Sequence, residues 1–191
     1  IINYNTTELV KFDAIMRHSK LLREIDSTDT AITSSSVIPR LAQYFTPELE
    51  KINSYNLYYN NALNNPHDGH NSVGGGILTS TGFYKSGSNS TKEQFFDDDG
   101  SGNLRTYYFI GSTRNYTNLT AGTVNYTTGA IAISNLVITK ISNVDGAVST
   151  RIRVIVLPRS NDIVALRNQI LEIDMINTNV IGAVDTIAVG D

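Results

Sequence analysis

One stretch of this sequence carries a long helical pattern, and it lies near the start of the chain, in residues 5–47. Asn5 is suited to cap a helix, and Glu8, three residues later, could close a capping box with it. The apolar spacing continues to about Asp26, where a Ser-Thr-Asp sequence favours turn and loop. We therefore predict a helix over residues 5–26 as the main helical element of the chain.

The apolar residues of this predicted helix fall on two arcs, whereas a helix packed on one sheet needs a single apolar stripe. A polar seam separates the arcs at about 100° per residue, with i,i+4 pairs from Asp13 to Arg17 and from Lys20 to Glu24. Two arcs are explained either by a second chain packed on the helix or by deep burial in a monomer. The residues that we expect at an interface between chains are Leu9, Val10, Phe12, Ala14, Met16, Leu21 and Ile25.

Short strand patterns follow one another through the rest of the chain, and Gly, Asn, Asp and Ser separate them as in antiparallel hairpins. A tight turn is predicted with Gly129 at positive φ, and an irregularity is predicted near Asn135. The predicted strands are residues 77–84, 93–97, 104–111, 122–126, 130–140 and 151–157, then 170–176 and 180–189, with a short helical turn at 163–168. The pattern predicts an α+β fold, with a helical arm (residues 1–48) on an antiparallel β-rich domain (residues 49–191).

Composition narrows the functional classes. The 191 residues carry a net charge of -3 and form no basic run, so we expect no nucleic-acid binding. No apolar run approaches the roughly 18 residues of a membrane helix, and we expect no membrane partner. The chain has no cysteine, which excludes disulfides, thiolate metal sites and a cysteine nucleophile. Because it begins with Ile1, we interpret it as a fragment of a longer protein.

Two stretches could suggest a metal site. The Asp97-Asp98-Asp99-Gly100 run resembles a calcium loop, but placing Gly100 at the sixth position of an EF-hand puts Phe95 first and Thr106 twelfth, without carboxylates. A solvent-exposed hairpin turn explains the run better. His67 and His70 lie in a glycine-rich loop and lack a complete set of ligands, so polar loop residues are the favoured interpretation. We expect no cofactor and no enzymatic activity.

Several stretches, taken in order, resemble the baseplate wedge protein of T4-like contractile-tailed bacteriophages. They are the opening pattern with IDSTDTAITSSSVIPRLAQYFTP, then FFDDDGSGNLRTYYF, GTVNYTTGAIAISNLVI and IRVIVLPRSNDIVALRNQILEID. The resemblance implies a structural virion protein in the tail baseplate, assembled in the host cytoplasm. It implies the C-terminal part of that protein, which contacts its own copies and other wedge proteins around the tail hub. The expected state is a homo-oligomer, with a dimer favoured.

A competing class is a β-rich adhesin or carbohydrate-binding module. Its sugar-stacking residues would be the tyrosines Tyr55, Tyr58, Tyr59, Tyr107 and Tyr108. Aromatic residues in strands are more often core or cross-strand pairs, which favours the structural protein.

Overall fold

Polar turns separate a succession of antiparallel strands, as the sequence predicts, in a computed structural model that describes residues 1–70, 76–144, 146–166 and 169–181. The fold is α+β: 40% of the chain is strand and 10% is helix. The strands are β1 (Ile15–Met16), β2 (Leu41–Phe45), β3 (Ile52–Tyr58), β4 (Leu78–Ser80), β5 (Phe83–Lys85), β6 (Phe95–Asp98), β7 (Asn103–Ile110), β8 (Thr113–Asn125), β9 (Ala130–Ile141), β10 (Ile152–Val156) and β11 (Ile163–Val164). The helical elements are α1 (Ile2–Tyr4), a π-helical turn (Asn5–Leu9) and α2 (His18–Asp26).

The described strands form three sheets. The largest has the order β3-β9-β8-β7-β6, and β5 pairs with the distal part of β9. A second sheet has the order β2-β10-β4, and β1 pairs with β11 as a short ribbon. In the described part of the chain no helix is long and apolar enough to cross a membrane.

Two apolar clusters hold these sheets together. The main cluster takes side chains from both larger sheets, including Phe83, Phe96 and Ile152, all at 0% exposure. The second cluster joins the N-terminal residues to the segment after β10, and its members are Tyr4, Leu9, Met16, Leu21 and Ile163. The N-terminal segment is therefore packed on Ile163, Leu171 and Ile173 of the same chain.

The prediction of one continuous helix over residues 5–26 is wrong, although its last part forms α2 and ends at Asp26 as predicted. The π-helical turn ends when the Val10 N–H donates to the Asn5 carbonyl, and Asp13 takes a left-handed backbone with φ of 55°. Ile15 and Met16 then pair with Val164 and Ile163. A strand partner from the far end of the chain outweighs the local helical periodicity, because most helical stability in proteins comes from packing.

The remaining predictions have mixed outcomes. Gly129 has φ of 72°, and Asn135 has φ of 48° opposite a register shift in β3, so both predicted features are confirmed. Residues 163–164 form a strand instead of a helical turn, and residues 170–176 form no strand. Most of the predicted strand 180–189 lies outside the described residues. The division into residues 1–48 and 49–191 stays a prediction, although β2 of the arm pairs with β10.

Candidate assembly surface

Three long-range contacts fix the N-terminal segment. Asp162 Oδ1 accepts a hydrogen bond from the His18 backbone N–H at 2.9 Å and so caps α2. Asn5, predicted as a helix cap, instead accepts a 2.7 Å hydrogen bond from the Ile173 N–H through its side-chain oxygen. Glu8 pairs with the Lys20 ammonium at 2.8 Å, so this salt bridge replaces the predicted pair of Lys20 with Glu24.

The seven residues predicted at an interface between chains divide into two groups. The buried group is Leu9, Ala14, Met16 and Leu21, with Ile25 half-buried against the same cluster. The buried group takes residues from both predicted arcs, so the two arcs do not separate buried from exposed positions. The other group is exposed: Val10 at 47% and Phe12 at 66%. Contact of any of the seven with a second chain stays a prediction.

Further apolar side chains extend this exposed group. Ile15 in β1 lies opposite Val164 in β11, and both are exposed, at 39% and 44%. Cross-strand neighbours have Cβ atoms about 5 Å apart, so the two side chains form one apolar patch on the outer face of the ribbon. Leu166, two residues further, is 46% exposed. We define the N-terminal surface as Val10, Phe12, Ile15, Val164 and Leu166.

Sequence reasoning did not identify Val164 and Leu166 as part of this surface. They alternate in burial with Ile163 and Ala165, but all four residues are apolar, so the sequence shows no period-two alternation that could have identified them. The run was assigned to a helical turn because Ser160, Asn161 and Asp162 resemble a helix cap. Asp162 does cap a helix, but the helix is α2.

The Asp97–Asp99 run lies in the β6–β7 hairpin, as predicted, but most of it is not exposed to solvent. Asp97 and Asp98 are both at 0% exposure. The Asp97 carboxylate accepts hydrogen bonds from Arg105 Nε at 2.9 Å, Arg114 Nη1 at 2.8 Å and the Tyr116 hydroxyl at 2.9 Å. The prediction of a solvent-exposed turn is therefore wrong for Asp97 and Asp98, since each carboxylate faces partners from other strands.

The Asp98 carboxylate is also hydrogen-bonded within the protein. It accepts hydrogen bonds from the Leu78 N–H at 3.1 Å and the Tyr126 hydroxyl at 2.8 Å. Burial raises the pKa of Asp97, opposed by the hydrogen bonds and charge of Arg105. Burial also raises the pKa of Tyr126, and the neighbouring Asp98 charge adds to the increase. These carboxylates organise the sheet through buried ion pairs and hydrogen bonds.

A shallow groove of about 530 Å³ lies beside this hairpin. Asn65, His67 and Asp68 line one side, and residues 100–102 and 123–127 line the other. His67 Nε2 and His70 Nδ1 lie 3.1 Å apart, and His67 Nδ1 donates to the Asp68 carbonyl. Within the described ranges no three acidic, His or Cys side chains come together in a way that could hold a metal ion.

No protein-family model matches this sequence, and no curated protein is significantly similar to it.

Proposed function

We propose that this chain is a structural subunit of a phage tail baseplate wedge, which associates with its own copies and with other wedge proteins around the tail hub. The proposal rests on the ordered resemblance of four sequence stretches to that family and on the N-terminal surface. The stretches correspond to the N-terminal segment, the β6–β7 hairpin, the β8–β9 hairpin and the β10–β11 region. They therefore include parts of all three sheets.

The exposed N-terminal surface is the structural observation that supports subunit contact in this proposal. Phe12 exposes 66% of a large aromatic side chain next to a ribbon whose outer face carries Ile15 and Val164. Adjacent exposed apolar side chains of this kind are typical of protein–protein contact sites. Aromatic residues in particular are enriched where subunits bind. The surface supports contact with a neighbouring subunit.

The arrangement of the tyrosines does not favour a carbohydrate-binding module. Tyr59 is 4% exposed and donates a 2.6 Å hydrogen bond to the Val154 carbonyl. Tyr107 is 4% exposed, and Tyr55 packs on Phe45 with ring centroids 4.7 Å apart. A sugar ring stacks on an accessible aromatic face, and burial removes such a face from Tyr59 and Tyr107. Tyr55 is half-buried, and Tyr58 is 54% exposed. Reproducible binding on a glycan array would nevertheless support the module.

Labelling of virus particles tests the proposal. Antibodies raised against the purified chain are applied to contractile-tailed particles from the culture that carries the gene, and electron microscopy locates the label. We expect gold at the baseplate end of the tail, with pre-immune serum as the control. Label on the capsid, or particles that contain no such chain by mass spectrometry, would contradict a baseplate role.

A further inference from the structure

The β7–β8 hairpin extends beyond β9, the strand that pairs with the other edge of β8. β8 pairs with β7 over much of its length, but it pairs with β9 only between Gly122 and Asn125. β9 has its irregularity at Asn135, with φ of 48°, and its distal part pairs with β5. In the described part of the chain no strand therefore covers the outer edge of residues 113–121, which we call the β8 edge.

Side chains of the same chain protect exposed edges of β3, β11 and β6. The Gln43 amide bonds both the Tyr58 carbonyl, at 2.6 Å, and the Tyr58 N–H, at 3.1 Å. The Asn61 amide binds the N–H and carbonyl of Val164 in the same way, at 3.1 and 3.0 Å. At β6, the Phe96 N–H donates to Ser80 Oγ at 2.9 Å. These contacts occupy backbone groups that could otherwise pair with a foreign strand.

Among the described residues, no side chain protects the outward backbone groups of the β8 edge at Arg114 and Tyr116 in this way. Gly111 and Ser112 form a two-residue turn, so Ile110 and Thr113 are the hydrogen-bonded pair that closes the hairpin. Because hydrogen-bonded and non-hydrogen-bonded pairs alternate in an antiparallel ladder, the backbone groups of Arg114 and Tyr116 point away from β7. The Asn118 side chain bonds the Thr120 N–H within the strand and does not cover Arg114 or Tyr116.

The charge pattern of this edge favours a second copy of the same chain as the partner. The β8 edge has one charged residue, Arg114, and its guanidinium is paired with the buried Asp97 carboxylate at 2.8 Å. From Asn115 to Thr139 the sequence contains no charged residue and no proline, the two usual guards of an edge strand. Antiparallel pairing about a two-fold axis brings the same edge of two copies together. Two edges with the same net charge would repel each other. Leu119, 59% exposed, and Ile110, 58% exposed, add apolar area beside the edge.

We propose that two copies of this chain associate by antiparallel pairing of their β8 edges, which continues the large sheet across a two-fold axis. This contact is separate from the N-terminal surface. It depends on strand pairing and charge in this chain and does not require the baseplate role.

Two matched double variants test the proposal by solution mass, measured by light scattering after size-exclusion chromatography. Asn118→Lys with Leu119→Lys places two cations on the β8 edge, where both residues are exposed. The control, Ile52→Lys with Asn56→Lys, makes the same change at exposed positions of β3. We expect the β8 variant to lose at least half of the parent mass with an unchanged circular dichroism spectrum, and the control to keep the parent mass.

A second variant of opposite charge then distinguishes two explanations for dissociation of the lysine variant. One is repulsion between paired β8 edges, and the other is local damage to β8. A variant with Asn118→Asp and Leu119→Asp also dissociates alone, but mixing it with the lysine variant should restore the parent mass, because opposite charges now meet across the axis. A monomeric parent, an unchanged mass of the lysine variant, dissociation of the β3 control or failure of the mixture to reassociate would each overturn the proposal. None of these outcomes affects the labelling of particles.

Discussion

Asp162 caps α2 from 144 residues away, through a 2.9 Å hydrogen bond that its carboxylate accepts from the His18 N–H. Arg17, at the N-cap position, makes no side-chain capping bond of its own. Its guanidinium lies 3.4 Å from the second oxygen of Asp162. One carboxylate therefore fixes both the start of the helix and its place beside β11.

Asp162→Ala should lower the free energy of unfolding by about 1 kcal/mol, the usual contribution of a helix cap. The ion pair with Arg17 should add little, because both side chains are largely exposed, at 60% and 43%. Urea denaturation measures the loss. Asp68→Ala, an equal change of charge in an exposed loop, is the control, and an equal loss in both variants would argue against capping.

This cap also shows where sequence reasoning succeeds and where it stops. Features set by one or two neighbouring residues, such as the turn at Gly129 and the irregularity at Asn135, were predictable. The N-terminal segment was not, because its strand partner Ile163 and its cap Asp162 lie near the other end of the chain. Local spacing of apolar residues carries no information about such a partner.

The candidate surface also depends on contacts between distant parts of the chain. Sequence spacing did not separate the buried from the exposed apolar residues of the N-terminal segment, because the two arcs were assigned on a continuous helix that the chain does not form. It could not indicate that Val164 lies beside Ile15, since that depends on the ribbon register. The burial of Asp97 was equally hidden, because Arg114 and Tyr116 reach it from β8, on the other side of β7.

Asp97→Asn should be severely destabilising. The change removes the negative partner of Arg105, whose side chain is 7% exposed, and breaking a buried ion pair typically costs about 3–5 kcal/mol. Glu48→Gln breaks the exposed pair with Lys51 and should cost about 0–1 kcal/mol. Denaturant midpoints of the two variants measure the contrast. Similar losses in both would contradict the structural role of the buried cluster.

Acidification should destabilise the protein partly through Asp99. Burial opposes ionisation of this carboxyl, but hydrogen bonds from Asn103 and Ser101 hold its pKa below the ordinary value. A lowered folded-state pKa gives stability that is complete above the unfolded pKa, about 3.9, and is lost as the pH falls through the folded pKa. In Asp99→Asn, the free energy of unfolding should therefore fall less steeply than in the parent as the pH drops below about 4. A curve parallel to that of the parent would refute this assignment.

Calcium and zinc should leave the melting temperature unchanged. The Asp97 and Asp98 carboxylates are already hydrogen-bonded to protein groups, and His67 and His70 supply only two ligands. An ion held at one hundred times its dissociation constant would add about 2.7 kcal/mol, which a thermal scan detects. The contrary result is a saturable rise in melting temperature that Asp97→Asn or His67→Ala abolishes.

Aspartate should have different effects on stability at a buried and at an exposed residue of the N-terminal segment. Leu21 is 5% exposed, so Leu21→Asp should forfeit about 1.5–3 kcal/mol of apolar burial and introduce a buried charge. Phe12 is 66% exposed, so Phe12→Asp should change stability by only about 0.5 kcal/mol. Leu49→Asp, at a site 47% exposed and outside the surface, is the control for added charge.

The solution mass of the parent and of Phe12→Asp, measured with far-UV circular dichroism, tests most directly whether this chain is a self-associating subunit. We predict that the parent has a mass above the 20.9 kDa of one chain, and that Phe12→Asp lowers this mass while the spectrum stays unchanged. Leu49→Asp should keep the parent mass. A parent of 20.9 kDa, or a Phe12→Asp variant with the parent's mass, would contradict assembly through the N-terminal surface.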